Sequence, residues 1–70
     1  MAPILPKTKQ KVLQYLKDYI TRRGYAPTLT EIAKHLNVNA LSTVHEHLQF
    51  LQERGFIERA EGEERGISLT

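Results

Sequence analysis

Seventy residues, ten lysines and arginines against eight acids, and no cysteine confine this chain to a single small domain. A chain so short buries only about 60% of the surface its unfolded form exposes, leaving room for a modest core and no separate catalytic domain. The missing cysteine excludes a disulfide framework and a thiolate metal site, and no apolar run approaches the roughly 20 residues that span a bilayer.

The start, Met1-Ala2-Pro3-Ile4-Leu5-Pro6, is too short and too proline-broken for a signal peptide, so a soluble cytoplasmic protein is expected. The formal charge is only +2, but it is unevenly spread. Residues 1–35 carry seven cations against two acids, a balance of +5, whereas residues 36–70 carry three against six, a balance of −3. A basic half can meet a phosphate backbone when it faces one.

The first helix is expected over Lys7 to Arg23, with Pro6 at its first position, where a missing N–H costs nothing. Val12, Leu13, Leu16, Tyr19 and Ile20 fall on one face, with Tyr15 at its edge. Arg22 and Arg23 meet the negative end of the helix dipole, and Gly24 ends the helix. Pro27 turns the chain. Thr28 then opens a second helix, residues 28–36, with Glu31 completing a capping box and Leu29, Ile32, Ala33 and Leu36 as its apolar stripe.

Asn37-Val38-Asn39 is a tight turn. Asn37 tolerates a left-handed conformation, Val38 plugs the angle between helices, and Asn39 offers a side-chain oxygen to cap the third helix. That helix covers residues 40–54 and stops at Gly55; Leu41, Val44, Leu48 and Leu51 form its buried stripe. Phe50 falls off the stripe and is expected to pack beneath the C-terminal segment. Beyond Gly55 the period becomes two: residues 56–60 and 65–69 read as strands joined by the turn Glu61-Gly62-Glu63-Glu64. Three helices followed by a hairpin over residues 56–69 make a mainly α fold, a winged helix-turn-helix with a two-stranded β-hairpin wing.

A helix of this kind enters the major groove and presents its first turns to base edges. Ser42, Thr43, His45 and Glu46 are the candidate base readers, being polar, near the helix start and off its buried stripe. An ordinary solvated face would look similar; the capped helix and tight turn before it favour DNA. His45 and His47, with His35 as a third ligand, raise a metal site, but residues two apart on a helix do not share a face, so no metal is expected. His47 is expected at the edge of the core. No nucleophile–base set or phosphate loop can be assembled, so neither enzymatic activity nor a cofactor is expected.

PKTKQKVLQYLKDYI at the start, Gly24-Tyr25-Ala26-Pro27-Thr28, Glu31-Ile32-Ala33, Glu46-His47-Leu48, Gly55-Phe56-Ile57-Glu58 and Arg65-Gly66-Ile67, in this order and spacing, carry a resemblance. From Leu5 to Leu69 the chain resembles the N-terminal DNA-binding domain of the LexA family, repressors of the bacterial SOS response to DNA damage. The resemblance implies repression in the bacterial nucleoid, with two copies on each palindromic double-stranded operator. It implies base contacts at Ala40, Ser42, Thr43, His45 and Glu46, and backbone contacts from Thr28, Asn39, Arg54 and, on the wing, Arg65.

The chain departs from the family at several points. Ala40-Leu41 replaces a frequent Ser-Pro, so Asn39 takes over the cap. Ser42 and His45 stand where the best-known members have Asn and Glu, implying a different operator, and the acidic wing tip is expected to stay off the phosphates. The family's C-terminal domain, which dimerises and holds a Ser-Lys self-cleavage dyad, has no counterpart before Thr70, so an excised domain is expected rather than a stand-alone regulator. Alone it is expected to be monomeric or weakly self-associating, since no helix shows a second apolar stripe. The alternative is a winged helix for protein–protein contact, supported by the acidic C-terminal half.

Overall fold

The computed structural model describes residues 5–60, 62 and 65–70. Helix α1 covers Lys7–Arg23, α2 Leu29–Leu36 and α3 Leu41–Glu53; strands β1 (Ile57–Arg59) and β2 (Ile67–Leu69) follow. This is a winged helix-turn-helix, and no helix among the described residues is long and apolar enough to cross a membrane.

Pro6 precedes α1 as its cap residue, in extended conformation, rather than occupying its first position. Gly24, at φ 79°, ends α1 with its N–H on the Ile20 carbonyl. Thr28 caps α2 in a complete capping box: its hydroxyl accepts from the Glu31 N–H, and its own N–H donates to the Glu31 carboxylate. Asn37 closes α2 in the left-handed region at φ 57°, so α3 starts at a sharp angle after only a few residues.

Three elements, α1, α2 and β1, pack against α3. Leu16, Ile32, Val44, Leu48, Leu51 and Ile57 are fully buried where they meet, and Val38 lies half-buried against this core. Leu41, expected in the buried stripe, is instead 44% exposed. It is the first residue of α3 and stands beyond the end of the seam that covers Val44 and Leu48.

The two strands pair antiparallel, Ile57 opposite Leu69 and Arg59 opposite Ile67. They are three residues each, shorter than expected, because their burial narrows to Ile57 and Ile67. Two strands alone are marginal in water. Arg65 binds this wing to the helices: its Nη1 donates to the Ala26 carbonyl at 2.9 Å, reaches Glu31 Oε1 at 2.9 Å and Tyr19 Oη at 3.3 Å, while its guanidinium covers the Tyr25 ring. Of the expected turn residues only Gly62, at φ 79°, is described; Glu61, Glu63 and Glu64 lie outside the described residues.

Candidate nucleic-acid interface

The third helix presents one face to solvent. Ser42, His45, Glu46 and Gln49 are exposed along it, with Thr43 half-buried at its edge. Because Val44, His47, Leu48 and Leu51 hold the opposite face against the core, packing and not chance fixes which side chains face outward. Thus the structure brings four of the expected base readers onto the accessible side of the first two turns, with Ala40 exposed just ahead of them.

The expected cap by Asn39 does not form. Ala40, extended at φ −102° and ψ 123°, occupies the cap position, and no side chain accepts a hydrogen bond there. The chain straightens one residue later than the asparagine, so the amides opening α3 have no side-chain acceptor, and a helix start in that state favours an anion. Asn39 is left exposed beside them.

Behind the exposed face, a polar contact joins α3 to α1. Lys9 Nζ on α1 lies 2.7 Å from His47 Nδ1, and His47 is only 9% exposed. An ammonium can only donate, so the imidazole accepts in its neutral form. Burial first and the Lys9 charge second hold the His47 pKa below its ordinary 6.5, with Glu46 opposing weakly. The unfolded chain therefore takes a proton more readily than the folded one, and stability falls as pH drops below about 6.5 and on through the lowered value. Urea midpoints between pH 7.5 and 5 test this, and His47→Gln is expected to flatten the decline. Glu31 operates in another window. The Thr28 N–H, then the Tyr19 hydroxyl, with Arg65 adding to them, hold its carboxyl at about 2 against an ordinary 4.5, so its contribution is intact above 4.5 and is lost only in stronger acid.

The three histidines occupy three environments, with His47 buried on Lys9, His45 exposed on the outer face of α3 and His35 stacked on Tyr15 at 4.0 Å. Phe50, expected beneath the C-terminal segment, is flanked by Lys9 at 5.4 Å and by the Arg54 guanidinium at 4.9 Å from its ring centroid. Arg54 thus lies at the far end of α3, exposed but anchored on an aromatic face. Thr28 has its hydroxyl in the capping box. Arg65, expected on the DNA backbone, contacts Ala26, Glu31 and Tyr19 through Nη1, while its side chain stays 41% exposed.

One cation escaped the sequence reading. Arg59 on β1 borders an open groove of about 470 Å³ together with His45, Gln49, Gln52 and Glu53, placing a guanidinium between the wing and the outer face of α3. The signal was available: on a strand of period two, Arg59 shares the face of Ile57, and that face is turned toward α3.

The chain is similar to known proteins over nearly its whole length. LexA repressor 2 of Geobacter sulfurreducens is 42% identical over 66 residues, covering 94% of this chain and 32% of the relative. The LexA repressor of Geobacter metallireducens is 41% identical over 70 residues, covering 100% of this chain and 34% of the relative. LexA repressor 1 of Nocardia farcinica is 35% identical over 65 residues, covering 93% and 30%. The chain spans about a third of the length of the curated relatives it matches. The profile of the LexA DNA binding domain matches residues 2–66, and the chain belongs to that family.

Proposed function

We propose that this chain binds a palindromic duplex operator in two copies and represses transcription, in SOS-type control of the DNA-damage response within the bacterial cytoplasm. The observation that carries this is the exposed polar face of α3, supported from behind by a fully buried seam and from the side by a capped helix. Ala40, Ser42, Thr43, His45 and Glu46 touch base edges. Thr28, Asn39, Arg54 and, on the wing, Arg65 touch the sugar–phosphate backbone, and Arg59 adds a second wing contact. The chain supplies no catalytic step; its chemistry is hydrogen bonding to bases and charge neutralisation of phosphates.

Each phosphate neutralised releases condensed counterions, so affinity falls log-linearly with salt, by roughly 0.9 in slope per contact. Binding of the chain to its selected operator and to random duplex, titrated from low to moderate salt, tests the proposal. A steep slope on both duplexes and a clear operator preference are expected. Arg59→Ala is expected to weaken both duplexes alike and to reduce the slope by about 1. Equal affinity for operator and random duplex at moderate salt would exclude specific repression.

A further inference from the structure

Leu41 is the largest apolar side chain exposed on α3, and it is the first residue of that helix. It borders a crevice of about 170 Å³ with Thr28, Thr30 and Arg59, where the start of α2, the start of α3 and the base of the wing converge. A single exposed leucine is common on protein surfaces; the place of this one is what matters. Its neighbours in sequence are Ala40, which brings no polar atom and no cap, and Ser42, which opens the reading face. The leading turn of a recognition helix approaches base edges, and the one apolar feature that a base pair shows in the major groove is the thymine C5 methyl.

We propose that Leu41 is a specificity-determining residue, packing its exposed side chain against a thymine methyl in each operator half-site. This rests on the operator-binding function above and adds to it an apolar contact that neither Ser42 nor Glu46 can make. Cytosine offers no methyl at that place, so the contact selects thymine over cytosine there.

The test replaces each thymine of the selected operator by deoxyuridine, which removes the methyl and keeps every hydrogen-bonding group. One position per half-site is expected to lose about fourfold in affinity, the worth of one buried methyl group. Leu41→Ala is expected to bind thymine and uracil equally at that position, while Ser42→Ala keeps the difference. Thermal unfolding of Leu41→Ala, expected at an unchanged midpoint, confirms that the variant is folded. A preferred operator indifferent to every uracil substitution overturns the Leu41 assignment alone, and so does a uracil effect that persists in Leu41→Ala. Absence of any operator preference overturns the operator function and this assignment with it.

Discussion

Truncating Leu48 to alanine is expected to lower stability by about 2–5 kcal/mol, the usual cost of removing a buried leucine side chain and leaving a cavity behind. Leu48 is fully buried at the middle of α3, the helix against which α1, α2 and β1 all pack. A cavity there borders several elements at once, and no single one can collapse into it. At about 0.05–0.15 kcal/mol per residue, a chain of 70 residues has a total stability of the same order as this loss. The variant therefore populates the unfolded state strongly or fails to fold at moderate temperature. Leu41→Ala is the control: it removes the same atoms from the same helix, but at 44% exposure it is expected to cost within about 0.5 kcal/mol. Urea unfolding at neutral pH measures both, with similar slopes expected for the two variants. Equal losses would mean that Leu41 is packed as Leu48 is.

That pair also shows where the sequence was legible and where it was not. Helical spacing assigns Leu41 and Leu48 to one stripe, yet Leu41 is 44% exposed and only Leu48 is buried. Spacing carries no information about where the neighbouring elements end, and Leu41 lies just past them. Features fixed within a few residues were readable: the Thr28–Glu31 capping box, the left-handed Asn37 and the Gly24 stop all depend on local dihedrals and short hydrogen bonds. The cap of α3 depended on a one-residue shift, with Ala40 and not Asn39 adopting the extended conformation, and propensity does not resolve single residues at helix ends. Arg65 could not be placed by any local rule, because its partners Ala26, Glu31 and Tyr19 lie 34 to 46 positions away. The exposed face of α3 was legible for a simple reason. Once the buried face of α3 is known, its outer face follows by geometry, and Ser42, His45 and Glu46 are what occupies it.

Ser42→Ala and Glu46→Ala are each expected to change base preference at one operator position by about 1–3 kcal/mol, a five- to more than hundredfold redistribution among the four bases. The two should differ in their effect on overall affinity. Serine is uncharged, so its loss removes discrimination and leaves the salt slope unchanged. In the proposed complex Glu46 brings a carboxylate toward a polyanion, a cost tolerated only where a cytosine amino group lies opposite to receive it. Replacing it removes both the preferred contact and the repulsion that rejects other sequences. Glu46→Ala should therefore bind random duplex more tightly than the parent while discriminating less at its own position. Competition assays against duplexes carrying each base in turn, at one fixed salt concentration, read both quantities. Equal weakening on every sequence would assign these side chains to the phosphates, and it would move the base-reading surface elsewhere on α3. The predicted gain in non-specific affinity for Glu46→Ala, set beside the predicted uniform loss for Arg59→Ala, separates a residue that selects sequence from one that holds DNA.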